Sequence, residues 1–249
     1  MAKDVMQRAS NFLPAAGERR SNELEGIDRA LVVLTAPASV AAEQYRVLYH
    51  RIERARAAAS IKLVAITSAV SGEGKSLTAT NLALVAAAAD PDKRVLLIDA
   101  DLRRPCVHFL LDLDSRPGLG EFLDGEATLE EAVRRLRRPR LTVLPAGAPR
   151  EEAGQIIGSQ TMRLFLEKAR DHFDEIYLDA PPVLAVADGA LLAGLSDTSI
   201  LVVRAGATSR TLVEQAIETL SGARLLGCVL NEVETSEVPY LSRNKMKGR

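Results

Sequence analysis

Eight residues, Ala69-Val70-Ser71-Gly72-Glu73-Gly74-Lys75-Ser76, constrain this chain more than any other stretch. There an apolar run, Ile61 to Thr67, turns through two glycines into a helix-like segment. Glycines in such a turn let backbone N–H groups approach phosphates. The following helix presents its positive end, a lysine adds charge and a serine hydroxyl can ligate Mg²⁺. Ser71, Gly72, Glu73, Gly74, Lys75 and Ser76 are therefore the candidate contacts to a nucleotide. Ala69 stands where G-x-x-x-x-G-K-[ST] has its first glycine, so the strict pattern is missed by one methyl group. Glycine-rich turns also join strands to helices without any ligand, but Lys-Ser in a strand-then-helix context favours phosphate. The motif points to NTP binding and leaves the reaction open.

From Lys62 onward apolar runs alternate with helical patterns. Strands are expected over 61–67, 94–98, 141–144, 175–179, 198–203 and 225–230, and helices over 75–89, 159–171, 187–194 and 209–222. That alternation predicts a single α/β domain of the P-loop NTPase type over 61–232, a parallel sheet with helices on both faces. Ligands then bind at the carboxyl ends of the strands, where the glycine turn lies. Residues 1–30 read as a flexible arm, Leu31-Val32-Val33-Leu34 as a short edge strand, and 233–249 as a basic tail. Ser39 is placed to cap a helix over 39–58, with Ala41, Tyr45, Leu48, Ile52 and Ala55 on the face that packs on the domain or another subunit. Arg134-Arg135-Leu136-Arg137-Arg138-Pro139-Arg140 reads as a basic cluster ending a helix, a solvated face or dipole partner rather than an anion site.

With 32 Lys plus Arg against 33 Asp plus Glu, the charge balance gives no argument for a nucleic-acid partner. The absence of Trp and the 4% aromatic content leave few stacking platforms for one. Cys106 and Cys228 lie far apart without metal-ligand spacing and read as buried thiols of a reducing compartment. No run approaches the roughly 20 apolar residues of a membrane span, and Met1 to Ser10 lacks a signal-peptide core. The expectation is a cytoplasmic protein that a partner brings to the membrane.

Two further stretches deliver acids to the same sheet edge. Val95-Leu96-Leu97-Ile98 leads into Asp99-Ala100-Asp101-Leu102-Arg103-Arg104-Pro105. If the strand continues through Asp101, both acids face the glycine turn, one suited to Mg²⁺ and one to accepting a proton. A turn with a local Asp–Arg ion pair is the alternative. Ile176-Tyr177-Leu178-Asp179-Ala180-Pro181-Pro182 ends a strand in a single acid, suited to Mg²⁺. Asp188 reads as a helix cap. His50, His108 and His172 are dispersed, and no His/Cys/Asp grouping has metal-ligand spacing.

These stretches, with Asn81-Leu82-Ala83, Arg116-Pro117-Gly118-Leu119-Gly120 and Val183-Leu184-Ala185-Val186-Ala187-Asp188, resemble the bacterial tyrosine kinases of capsular and exopolysaccharide synthesis over roughly residues 31–231. The septum-placement and chromosome-partitioning ATPases share that fold, but they carry an early loop lysine where Val70 stands. The resemblance implies an ATP- and Mg²⁺-dependent autokinase that phosphorylates a neighbouring subunit with the help of a membrane activator, here a separate chain. By motif match, Lys75 contacts β- and γ-phosphates, and Ser76 and Asp101 serve Mg²⁺. Asp179 positions Mg²⁺ through water, and Asp99 is the candidate base with Asp101 the rival; Arg103 completes the catalytic set. The family's Glu-x-x-Arg-x-x-Arg oligomer helix corresponds to Glu43-x-x-Arg46-x-x-Tyr49, with Arg51 or Arg54 as substitute charges, so self-association through 39–58 and exchange of the tail are implied. The usual tyrosine cluster is reduced to Tyr240, the candidate autophosphorylation site. A nucleotide-driven assembly switch without protein phosphorylation is the second reading.

Overall fold

A computed structural model describes residues 26–233. The expected arm and the tail with Tyr240 therefore fall largely outside the described residues. Seven strands form one sheet: β1 (Leu63–Ser68), β2 (Val95–Asp99), β3 (Arg134–Arg137), β4 (Arg140–Leu144), β5 (Glu175–Asp179), β6 (Thr198–Arg204) and β7 (Leu225–Asn231). Their order is β3-β4-β2-β5-β1-β6-β7, parallel throughout except for the antiparallel β3–β4 pair. Strands β1, β2 and β5 are buried along their whole length, which is why they read as unbroken apolar runs rather than alternating ones.

Helices cover both faces. On one side lie α1 (Val32–Thr35), α2 (Val40–Ala59) and α3 (Lys75–Ala89), packed with Val64, Ile66 and Leu97 into one core cluster. The chain then forms α4 (Val107–Leu110), α5 (Leu119–Leu123), α6 (Leu129–Ala132), α7 (Ala153–Ile157), α8 (Gln160–His172), α9 (Ala187–Leu195) and α10 (Arg210–Thr219). Residues of α5 to α9 meet Leu63, Ile98 and Leu178 in the second cluster. Among the described residues no helix is long and apolar enough to cross a membrane.

Several expectations are corrected. Residues 32–35 form a helical turn, not an edge strand, because the Asn81 side chain accepts from Val33 N–H and donates to the Ala30 carbonyl, occupying the groups a strand would pair. The arginine-rich cluster ends no helix: it builds the β3–β4 hairpin, held by Leu136 opposite Leu141, with Arg134 donating to the Arg116 carbonyl. On α2 Tyr45, Leu48, Ile52 and Ala55 do pack on the core, but Ala41 is exposed, and Ala42 and Tyr49 are buried in addition. Tyr49, standing where the oligomer motif has an arginine, donates to the buried Glu175 carboxylate at 3.1 Å and anchors the helix to the sheet. Cys106 is half-buried and Cys228 exposed, so neither thiol is sealed in the core.

The Arg116–Gly120 stretch braces the exit of β4. Leu119 and Gly120 donate to the carbonyls of Pro145 and Ala146 at 2.7 and 2.9 Å. Gly118 is obligatory there, since a Cβ would meet the Gly147 backbone nitrogen at 2.2 Å.

Candidate active site

The glycine turn leaves the carboxyl end of β1 and enters α3 at Lys75. Gly72 and Gly74 take φ of +87° and +89°, a region other residues enter at a cost, which explains the two glycines. Ser71 and Gly72 are exposed, whereas Glu73 is 1% exposed. The Glu73 carboxylate accepts from Val70 N–H at 2.7 Å and from the Thr208 hydroxyl, so its side chain braces the loop and only its backbone faces outward chemistry. Asn231, at the end of β7, donates to the Glu73 carbonyl at 3.0 Å, and a Cβ on Gly74 would collide with its amide. Motif spacing gives no sign of Asn231 or Thr208, because they come from the distant end of β7 and the turn after β6 and act on the loop's backbone and brace.

The acids arrive on neighbouring strands. Asp99 and Asp179 are register partners at the ends of β2 and β5, and both are fully buried. Strand β2 ends at Asp99, so Asp101 does not continue its face; it sits in the following turn at 4% exposure. Lys75 Nζ donates to Asp101 Oδ2 at 2.8 Å and lies 3.5 Å from Asp179 Oδ1. It also lies 3.3 Å from Ser76 Oγ. Lys75, Ser76, Asp99, Asp101 and Asp179 are thus brought together.

Their charges are strongly coupled. Burial alone would depress the Lys75 ammonium, but Asp179 and Asp101 outweigh it and hold the group above the ordinary lysine range. Burial pushes the Asp99 carboxyl up to about 7, Asp179 adds repulsion, and backbone donors pull in the opposite sense. Those donors are Cys106 and Val107 N–H, on Oδ2 at 2.9 and 3.0 Å, and Asp101 N–H, on Oδ1 at 3.2 Å. Asp99 therefore faces into the 101–107 turn and shapes it. Burial likewise raises Asp179, opposed by Lys75.

Neither Asp179 oxygen carries a hydrogen bond among the described residues, and the Lys75 ammonium 3.5 Å from Oδ1 offsets its burial only in part, so a further cation would relieve it. No group of three or more His, Cys, Asp or Glu has metal-holding geometry among those residues. That donor set fits Mg²⁺, which keeps several waters and takes one or two carboxylates plus phosphate oxygens, and does not fit an all-protein cage.

Arg103 stands apart from this cluster and pairs with Asp188 at 2.8 Å. Asp188 is not a cap: Val186 precedes the helix, and Asp188 lies in its first turn. Glu43 and Arg46, the expected oligomer contacts, pair with each other along α2 at 2.9 Å, and Arg46 also donates to the Pro37 carbonyl.

An AAA domain family model matches residues 61–225. The tyrosine-protein kinase YwqD of Bacillus subtilis is 37% identical over 220 residues, covering 88% of this chain and 92% of its own. The succinoglycan biosynthesis transport protein ExoP of Rhizobium meliloti is 34% identical over 212 residues, 83% of this chain but 27% of its own length. Among solved structures, the kinase domain of the Escherichia coli tyrosine kinase ETK superimposes with a TM-score of 0.78 at 30% identity, covering 89% of this chain and 88% of that one.

Proposed function

The chain belongs to the bacterial tyrosine-kinase family of P-loop ATPases, those of capsular and exopolysaccharide synthesis, and from that premise we propose that it is an ATP-dependent tyrosine autokinase. In this reading it transfers the γ-phosphoryl group of ATP to a tyrosine on a neighbouring copy and so regulates polysaccharide polymerisation and export. The observation that carries the reading is the Lys75 ammonium at the start of α3, held between Asp101 and Asp179 at the strand ends.

Lys75 exchanges its carboxylate partners for the β- and γ-phosphates, and the backbone N–H groups of Ser71 to Ser76 cradle them. Ser76 and Asp101 would hold Mg²⁺, with Asp179 holding it directly or through water; bound there, the ion supplies neutralisation of phosphate charge. Asp99 keeps the turn that presents Asp101 in shape. A loose phosphoryl transition state needs positioning and charge neutralisation more than proton removal, so a base with all its oxygens turned inward is no obstacle.

The acceptor is Tyr240. The chain has four tyrosines, of which Tyr49 and Tyr177 are 3% and 0% exposed. Tyr45 is half-buried with its hydroxyl set against Thr78 and Asn81, which leaves Tyr240, outside the described residues. Phosphate there would place about −1.5 to −2 charge beside Arg243, Lys245 and Lys247. Self-association uses α2, where exposed Val40 and Val47 border an apolar groove of about 530 Å³ shared with Leu230. A separate membrane activator completes the system, and ExoP, named for succinoglycan transport, supports that setting.

The test is mass spectrometry of the expressed protein with its activator, compared with Lys75→Met. Phosphate on Tyr240 is expected in the first and none in the second. ATP hydrolysis without any phosphotyrosine would instead favour an assembly switch driven by hydrolysis, a reading that the single tail tyrosine keeps in play.

A further inference from the structure

The acids of the site leave the sheet on two separate exits, those of β2 and β5, and one ion pair joins the two. Asp188, 3% exposed in the first turn of α9, accepts from Arg103 Nε at 2.8 Å. Arg103 Nη1 donates to the Glu151 carbonyl at 2.8 Å. Helix α9 is pressed on the exit of β5, for a Cβ on Gly189 would stand 2.4 Å from the Pro181 carbonyl oxygen. That same oxygen accepts from the Thr67 hydroxyl at 2.7 Å, which ties it to β1. Asp188 is therefore fixed relative to Asp179, while Arg103 lies two residues beyond Asp101.

Stability is a poor reason for this pair. The Arg103 side chain is 37% exposed and that of Asp188 5%, so a carboxylate has been taken out of water for a partner that still keeps part of its surface in it. Pairs with one exposed member contribute little, and desolvation of the buried member opposes them. What the pair does supply is geometry. Arg103 is held at two of its nitrogens, and the third, Nη2, carries no hydrogen bond among the described residues.

We propose that Asp188 is a positioning residue for phosphoryl transfer: it aims Arg103 so that Nη2 meets an anionic oxygen of the transferring group at the mouth of the site. The inference rests on the phosphotransfer reading above. A guanidinium already fixed at two points loses little freedom when the third engages, so binding of the charge that builds up in the transition state is not offset by ordering an arginine.

Gly154 provides a test that separates aim from stability. A Cβ there would stand 2.9 Å from Asp188 Oδ1 and 3.8 Å from Arg103 Nη2, the far ends of the two paired side chains, and the position lies inside α7, where alanine is favoured over glycine. In the full chain with its activator, Gly154→Ala should keep or raise the unfolding midpoint and leave ADP affinity within about twofold. It should lower kcat by about tenfold or more, the scale at which small misplacements act. Asp188→Asn should do the same, and its loss should not add to that of Arg103→Ala. A stable Gly154→Ala protein with wild-type kcat, a loss confined to KM, or additive losses in the double variant overturns the proposal. Phosphotyrosine formation and phosphate release are both followed. If wild type releases phosphate without phosphotyrosine, and release still responds non-additively, tyrosine transfer falls and the positioning role stands.

Discussion

Asp99 illustrates how far a residue's type can be read from sequence and how its task depends on geometry. Its place at the end of an apolar strand is visible in Val95-Leu96-Leu97-Ile98-Asp99, but the turn that follows bends back so that three backbone N–H groups point at the carboxylate. No local signal announces such a turn, because its donors lie up to eight residues away. The buried carboxyl, raised to about 7 from an ordinary 3.8, binds its proton more tightly in the folded than in the unfolded chain. Its contribution to stability is therefore fully present below about pH 4 and is lost as pH rises to about 7, with no further change above. In nucleotide-free protein, urea midpoints over pH 5 to 8 should fall with rising pH in wild type, and this component of the slope should vanish in Asp99→Asn. An identical slope in both proteins would show that other groups carry it.

At the scale of elements, the long periodic segments were legible and the short ones were not. Helix α8 and strands β1, β2 and β5 follow their apolar patterns, since each packs against the sheet or lies within it and period and burial agree. Residues 32–35 and 134–140 are too short for periodicity to decide, and tertiary partners, the Asn81 side chain and the facing Leu141, set their conformation. The brace at β4 carries its own test. Gly118→Ala drives a Cβ into the Gly147 backbone, which cannot step aside as a side chain would, so a loss of about 1–3 kcal/mol is expected in urea unfolding. Next to it, burial would raise the Glu121 carboxyl, but Ala148 and Gly118 N–H and then Arg116 hold it below the ordinary 4.5. That stabilisation is present above about pH 4.5 and is lost as pH falls through the folded value, so Glu121→Gln should flatten the acid limb of the stability curve.

For the whole molecule, the convergence of one lysine loop and three acids on one sheet edge follows from strand alternation, because parallel strands put all their carboxyl ends together. What alternation could not reveal is how the far strands reach in: Asn231 and Thr208 grip the loop from β7 and from the turn after β6. A chain ending at Val233 should keep its urea midpoint and its ADP affinity, since the described core closes before that point, and should form no phosphotyrosine. Retained phosphotyrosine in that truncation would move the acceptor into the core. The Asn231 contact has a mechanical side as well. The described residues end at Val233, two positions past the amide that holds the Glu73 carbonyl, so that end of β7 and the phosphate loop are joined by one side chain. A load applied at that end of the described chain would reach the phosphate loop through the Asn231 amide.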